Sequence, residues 1–97
     1  MAAAHASDLA DGTYLIRSAK SSWQTLDVAG GSKVSGANIQ LYVLNASPAQ
    51  TWMVSHDTDG FITLTCKGSG LVLDVSGGSA QSGTYVQQYS SNGSAAQ

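Results

Sequence analysis

The stretch LDVSGGSAQSGTYVQQYSSNGSAAQ, Leu73–Gln97, nearly repeats a stretch that precedes it in the chain. From Leu26 to Gln50 the sequence reads LDVAGGSKVSGANIQLYVLNASPAQ, and the two stretches align without a gap at a spacing of 47 residues. They share a Leu-Asp-Val run, a Gly-Gly-Ser run, a Ser-Gly pair, and a Gln, a Tyr and an Asn at matching positions. A match of this length at a fixed period indicates a repeated structural unit.

Length and composition favour one small all-β domain. The chain has 97 residues, which is near the lower limit for an independent hydrophobic core. Gly and Ser are abundant, and Val, Ile, Thr and Tyr recur in short bursts rather than at helical spacing. This composition is typical of short strands joined by tight turns.

The charge and cysteine content exclude several classes of partner and site. The net charge is −2 with only 4 Lys and Arg residues, so the sequence shows no basic patch and predicts no nucleic-acid partner. No apolar run is long enough to insert into a membrane. The single cysteine, Cys66, rules out an intramolecular disulfide and is expected to be a small buried residue. No cluster of residues has metal-ligand spacing, so no metal or cofactor is predicted.

Turn residues divide the chain into seven predicted strands. Asp11-Gly12 and Asp59-Gly60 stand just ahead of strands, a pattern typical of hairpins, and lie 48 residues apart. One residue is therefore inserted in the loop at 21–24 of the first unit. Gly30-Gly31 and Gly77-Gly78 supply the positive φ angles expected after the Leu-Asp-Val strands. The predicted strands are Thr13–Ser18, Thr25–Val28, Ile39–Val43, Thr51–Ser55, Phe61–Cys66, Val72–Val75 and Tyr85–Tyr89.

The repeat contains the pattern D-G…L-D-V-x-G-G-S…S-G-x-x-[IV]-Q-x-Y-x-x-N…A-Q-x-W, which runs to Trp52 in the first unit. This pattern resembles the ricin B-type (Q-x-W) β-trefoil lectins, in particular their disulfide-free bacterial branch. In that family three repeats of four strands close a barrel and cap it with hairpins. The resemblance therefore implies a β-trefoil of which only two of the three repeats are present, one at residues 11–51 and one at 52–97. Residues 1–10 are expected to be the end of a linker or an added start.

The repeat places sugar-binding chemistry at matching positions twice. The C–H-rich face of a sugar ring stacks on an aromatic plane, and vicinal hydroxyls suit a rigidly held carboxylate or amide. An Asp ends each Leu-Asp-Val strand, a Tyr follows fifteen residues later, and a Gln two residues before the Tyr shares its strand face. An Asn lies three residues after the Tyr, and a Gln closes the repeat. The predicted binding residues are Asp27, Gln40, Tyr42, Asn45 and Gln50, and Asp74, Gln87, Tyr89, Asn92 and Gln97.

The resemblance implies a role for most of these residues. The Asp matches the family's pocket aspartate, which accepts hydrogen bonds from two sugar hydroxyls, and the Tyr matches the stacking aromatic. The Asn matches a polar position at the pocket rim, and the closing Gln matches the glutamine that steadies the aspartate. Many family members carry an Asn before this glutamine that contacts the sugar, and here Ala49 and Ala96 stand in its place.

Structural alternatives exist for the same residues. An Asp before Gly-Gly is often a turn former that binds its own backbone, and a strand Tyr commonly covers the edge of a core. Trp52 is expected in the core. Trp23 lies in the loop with the insertion and has no counterpart, so it is either an additional contact surface or a cap on the barrel.

Catalysis is not expected. Asp27 and Asp74 are the one pair of carboxylates that resembles a glycosidase acid and base, but they occupy equivalent positions of separate repeats. In a threefold arrangement such positions point into different pockets, too far apart to act jointly.

The sequence therefore predicts a non-catalytic module that binds a glycan or polysaccharide. The resemblance implies an extracellular or cell-surface location within a larger secreted bacterial protein. The alternative is a structural or protein–protein β-trefoil, because folds host unrelated functions. Two repeats leave strand edges open, so the chain is also expected to self-associate. The alternatives are a monomer in which the stretch Ala4–Leu9 covers one edge, and a marginally stable fragment from which the following residues have been removed.

Overall fold

The computed structural model describes residues 9–97, and this part of the chain contains seven short antiparallel β-strands. The predicted all-β class is confirmed. Of the segment predicted as a linker or added start, residues 1–8 lie outside the described part. The strands are β1 (Gly12–Tyr14), β2 (Gln24–Val28), β3 (Ile39–Val43), β4 (Trp52–His56), β5 (Ile62–Cys66), β6 (Val72–Val75) and β7 (Val86–Tyr89).

The strands form one five-stranded sheet, in the order β1-β4-β5-β6-β7, and a separate hairpin of β2 and β3. β4 is central: Trp52 pairs with Tyr14 of β1 on one side and with Cys66 of β5 on the other. β6 and β7 repeat the β2–β3 hairpin in the second unit, with Asp74 opposite Gln87 where the first unit has Asp27 opposite Gln40. The sequence repeat is thus a structural repeat.

β1 is shorter than predicted, because its strand pairing ends at Tyr14 rather than continuing to residue 18. The carbonyl of Ile16 instead accepts hydrogen bonds from the N–H of Leu26, at 2.8 Å, and from the hydroxyl of the fully buried Thr25, at 2.9 Å. Arg17 then forms a single bridge to Thr25. The chain therefore leaves the pairing with β4 at this point and crosses to β2.

Glycine turns connect the strands of each hairpin. A 3-10 turn follows β2 at Ala29–Gly31, and another follows β6 at Ser76–Gly78. Gly30 and Gly77 have φ angles of 65° and 66°, in the left-handed region that an L side chain disfavours. The glycines predicted to supply positive φ do so in both units, and they return the chain towards β3 and β7.

The core lies between the sheet and the β2–β3 hairpin. Trp52 is completely buried, and its indole N–H donates to the carbonyl of Leu26 at 3.0 Å. Val28, Ile39 and Cys66 pack in the same buried cluster, which confirms the core positions expected for Trp52 and Cys66. Trp23, by contrast, is 75% exposed, so it covers little of the barrel end.

A buried glutamine fastens the two units to each other. Gln88 of β7 is completely buried, and its amide donates to the carbonyls of Ser32 and Val34 in the first unit, at 3.0 and 2.8 Å. Its own carbonyl oxygen accepts from the hydroxyl of Ser69 at 2.7 Å. The aligned residue of the first unit is Leu41, which is half exposed. The two units therefore repeat each other in their hairpins, but the side chain that joins them has no equivalent in the first unit.

Several strand edges lack a continuous partner within residues 9–97, among them those of β1 and β5. β1 is the outermost strand of its sheet. β5 pairs along its length with β4, but its other edge is bridged only where Thr65 meets Val72. β1 is the strand of the first unit that corresponds to β5, and its equivalent edge pairs with β4. A groove of about 560 Å³ beside Phe61, Ile62 and Thr63 marks the uncovered stretch of β5.

Candidate functional site

Asp27 lies at the centre of the first candidate site, near the end of β2 and only 4% exposed. One carboxylate oxygen, Oδ1, accepts a hydrogen bond from the amide of Gln40 at 3.1 Å. The other, Oδ2, accepts from the amide of Gln50 at 2.9 Å. Burial without such partners would be costly for a carboxylate, and the two amides compensate for it. They also fix the direction in which the remaining lone pairs of the carboxylate point.

The side chain of Gln50 stabilises this position of the Asp27 carboxylate through hydrogen bonds. It is completely buried, and the same amide nitrogen that binds Asp27 also donates to the carbonyl of Val43 at 2.8 Å. Its carbonyl oxygen accepts from the backbone N–H of Asn45 at 2.9 Å. Both N–H groups and the carbonyl of the side chain are engaged, so its rotamer is fixed. The 3-10 turn Pro48–Gln50 places it there.

The second unit reproduces this network. Asp74 is 5% exposed and accepts from Gln87 at 3.1 Å and from Gln97 at 3.0 Å. Gln97 also donates to the carbonyl of Ser90 at 2.8 Å and accepts from the N–H of Asn92 at 2.9 Å. Each distance agrees with its first-unit counterpart within about 0.1 Å. The two sites are therefore copies in hydrogen bonding as well as in sequence.

A cavity opens in front of each aspartate. The first pocket has a volume of about 330 Å³ and the second about 420 Å³. Tyr42 lines the first and is 51% exposed; Tyr89 lines the second and is 42% exposed. Each pocket thus combines one buried carboxylate with one accessible aromatic side chain.

The ten residues predicted from the sequence separate into these two sites, five in each. Eight of them line the pockets, and the closing glutamines, Gln50 and Gln97, lie behind the aspartates instead. Sequence reasoning did not include the glycine pairs or the serines that complete the walls, although the repeat also contains them. The additional lining residues are Gly30, Gly31, Ser47 and Ala49 in the first pocket, and Gly77, Gly78, Ser94, Ala95 and Ala96 in the second.

The asparagines at the rim stabilise a turn. The side-chain oxygen of Asn45 accepts from the N–H of Ser47 at 3.0 Å, and that of Asn92 accepts from the N–H of Ser94 at 2.9 Å. The residue inside each turn has a positive φ, 58° at Ala46 and 70° at Gly93. With the oxygen used in this way, the amide N–H groups of each asparagine are what it offers to a ligand.

The chemistry available in the pockets is polar recognition. Each pocket wall contains a single carboxylate, so Asp27 and Asp74 face separate cavities. Within residues 9–97 no group of three or more His, Cys, Asp and Glu side chains could hold a metal ion. The same part of the chain contains no apolar helix of membrane-spanning length.

Comparison with known proteins shows which family the chain matches. The model of the family described as ricin-type beta-trefoil lectin domain-like matches residues 5–89, which is most of the chain. No curated protein matches the sequence significantly.

Several solved structures share the fold. The chain resembles the designed 3-fold symmetric protein ThreeFoil, with a TM-score of 0.83 and 36% identity over 90% of this chain and 61% of that one. It resembles an exo-β-1,3-galactanase from Clostridium thermocellum, with a TM-score of 0.83 and 29% identity over 92% of this chain and 19% of that one. The Rhizoctonia solani agglutinin shares the fold, with a TM-score of 0.79 and 23% identity over 86% of this chain and 58% of that one. The chain spans less than two thirds of each.

Proposed function

Because this chain belongs to the family of ricin-type β-trefoil lectin-like domains, we propose that it binds carbohydrate, without catalysis, through the two pockets centred on Asp27 and Asp74. The predicted β-trefoil with two of its three repeats is confirmed by the match to 61% of a threefold-symmetric protein. The observation that carries the proposal is the duplicated network, in which each aspartate is buried, is held by two glutamine amides and faces a cavity beside an accessible tyrosine.

A sugar ring would use both features of each pocket. Its vicinal hydroxyls donate to the free lone pairs of the aspartate, whose orientation the glutamines have already fixed, so little ordering is needed on binding. Its C–H face lies against Tyr42 or Tyr89. Ala49 and Ala96 line the pockets where many family members are expected to carry a sugar-contacting Asn, which leaves room but removes one hydrogen bond. Weak affinity at each single pocket is the expected consequence.

Binding without catalysis follows from the number of carboxylates. Hydrolysis of a glycosidic bond commonly requires two carboxyl groups on either side of that bond, about 5 to 9.5 Å apart. Each pocket wall supplies one. The aspartates therefore act as hydrogen-bond acceptors rather than as an acid and base pair.

The test is substitution of the two aspartates, separately and together. We expect Asp27→Ala and Asp74→Ala each to weaken retention on an immobilised polysaccharide, and the double variant to lose it, because two weak sites contribute avidity. Asp59→Ala is the matched control, since this exposed turn residue carries the same charge and lines neither pocket. Titration of the labelled protein with galactose, xylose and glucose, followed by NMR, identifies the sugar.

Full-strength binding by a folded double variant would contradict the proposal. A glycan array without reproducible hits would instead support a structural or protein–protein role for this β-trefoil.

We further propose that the chain is one module of a larger extracellular or cell-surface bacterial protein. The support is the galactanase, in which a region like this chain occupies 19% of a much longer polypeptide. A module that holds polysaccharide would keep an attached enzyme near its substrate, because tethering raises the effective concentration of the partner.

Self-association is proposed for the 97 residues by themselves. Within the described residues 9–97, the edges of β1 and β5 expose backbone hydrogen-bonding groups that a further strand would satisfy. Three chains contribute six repeats, enough for two complete trefoils, whereas the four repeats of a dimer leave a remainder. The occupant of the groove beside Phe61 is then a strand from another copy.

A further inference from the structure

A second cavity continues from the wall of the first sugar pocket. It has a volume of about 370 Å³ and shares Gly31, Ser47 and Ala49 with the pocket in front of Asp27. Lys33 lines it on one side and Lys67 on the other. We call it the basic groove, defined by these two lysines and the three shared residues. A saccharide seated in the first pocket would have its next residue at the entrance of this groove.

The basic groove concentrates positive charge in a protein that is negative overall. The chain has 4 Lys and Arg residues and a net charge of −2, and two of the four cations line this one groove. The ion pair formed within residues 9–97 joins Asp11 and His56, neither of which lines the groove. Two ammonium groups facing one cavity without a carboxylate between them repel each other, so an anionic ligand would be favoured there.

The backbone that carries these lysines is fixed rather than loose. Gln88, completely buried, donates to the carbonyls of Ser32 and Val34, on either side of Lys33. On the opposite wall, the N–H of Lys67 donates to the carbonyl of Thr51 at 2.8 Å. The next residue, Gly68, approaches Pro48 so closely that a Cβ there would lie 3.2 Å from it. The backbone on either side of each lysine is therefore held by hydrogen bonds or close packing, whereas the lysine side chains themselves are exposed.

The second pocket provides an internal comparison. Its walls contain neither Lys nor Arg, and alignment of the units puts Ala80 where the first unit has Lys33. One sugar pocket thus adjoins two cations, while the described wall of its copy carries none.

We propose, on the basis of the carbohydrate binding proposed above, that the two pockets differ in ligand class: the first takes an acidic glycan, with the carboxylate or sulfate of an adjoining residue between Lys33 and Lys67, and the second takes a neutral one. The shared chemistry is an anionic group one sugar residue away from the ring held by Asp27. Each exposed lysine then contributes about a two- to fivefold gain in affinity.

The experiment compares matched acidic and neutral probes by NMR on the labelled protein. The probes are trigalacturonate against its methyl ester, and a sulfated galactan against the same galactan after desulfation. The amides of Gly30 and Gly31 report on the first pocket, and those of Gly77 and Gly78 on the second. We expect the acidic member of a pair to bind the first pocket about fivefold or more tightly than its neutral counterpart, and the second pocket to show no such preference. The preference should vanish in about 1 M salt, where the screening length is about 3 Å.

Substitution of the lysines completes the test. Lys33→Ala with Lys67→Ala should abolish the preference while leaving binding of the neutral probe unchanged, and Lys33→Glu with Lys67→Glu should reverse it. Lys20→Ala is the matched control, because Lys20 lines neither the groove nor a sugar pocket. All three lysines are exposed, so the variants should fold.

The outcomes separate the two proposals. A preference in either pair supports the inference, and the pair that shows it identifies the anionic group as carboxylate or sulfate. Equal affinity for both members of both pairs overturns the acidic-glycan inference and leaves carbohydrate binding intact. Absence of any shift with all four probes overturns this inference, and the proposed function is then decided separately by the glycan array and the double aspartate variant.

Discussion

Gln50 is the side chain on which the first pocket depends most. It is completely buried, and it holds Asp27, the carbonyl of Val43 and the N–H of Asn45 at once. Gln50→Ala removes one hydrogen-bond partner from each of these groups, and we expect a loss of about 2 to 4 kcal/mol in the free energy of unfolding. Urea denaturation measures it.

The repeat supplies the control for that measurement. Gln97 makes the same contacts in the second unit but is only partly buried. Water can replace the side chain there, so Gln97→Ala should cost about 1 kcal/mol. Equal losses in the two variants would show that burial does not decide the strength of this network.

Tyr42 and Tyr89 separate binding from stability. Both are about half exposed, so truncation removes little packing from the core. Tyr42→Ala and Tyr89→Ala should each weaken sugar binding by about 1 kcal/mol, roughly fivefold, while the urea midpoint changes little. Phenylalanine at either position keeps the ring and should preserve binding. A large fall in stability with unchanged affinity would show that the tyrosines cover the edge of the core instead.

The sequence was sufficient to predict the internal composition of each site. Asp27, Gln40 and Gln50 could be predicted because the second unit repeats all three, and two copies of a polar residue at a fixed spacing are informative. The turn role of Asn45 was not predicted, since its oxygen faces the N–H of Ser47 only once the backbone passes through the positive φ at Ala46.

At the scale of elements, the attachment of β7 to the first unit depends on Gln88. Replacing it by Leu, the residue at the equivalent position of the first unit, removes one hydrogen bond from each of Ser32, Val34 and Ser69. We expect Gln88→Leu to lower the free energy of unfolding by about 2 to 3 kcal/mol, as measured by urea denaturation.

The reciprocal exchange is the control. Leu41 is 51% exposed, so Leu41→Gln should change stability by no more than about 0.5 kcal/mol. If Gln88→Leu leaves the stability unchanged, β7 is held to the first unit by its other contacts, which include the backbone hydrogen bonds of Gln88 with Gly36 and Ala37.

Contacts between the two units could not be predicted from the sequence, and the reason is physical. The repeat reports what the units have in common, whereas Gln88 and Leu41 differ, as do Lys33 and Ala80. Lys67 and Lys33 are far apart in the chain and line one cavity because the two units pack together. Strand existence was predictable from turn residues and β-branched bursts, but the early end of β1 was not, since it follows from the use of the Ile16 carbonyl by β2.

For the whole molecule, the open edges of β1 and β5 predict association. Light scattering after gel filtration should give a mass above that of the 9.9 kDa chain, with a trimer favoured because it completes two trefoils. Dilution should shift the mass towards the monomer and lower the apparent stability together. A monomer that unfolds in one cooperative transition at all concentrations would contradict the association and show that two units are sufficient.

The hydrogen bonds that build each candidate pocket stay within its own repeat, from Asp27 to Gln50 in one and from Asp74 to Gln97 in the other. A gene duplication would therefore copy a complete pocket in a single event, with no need to evolve new partners for it. Each copy could then accumulate mutations in the residues next to its pocket, as at Lys33 and Ala80, without changing the other pocket. Such an architecture lets selection retune one pocket while the ancestral preference survives in the other.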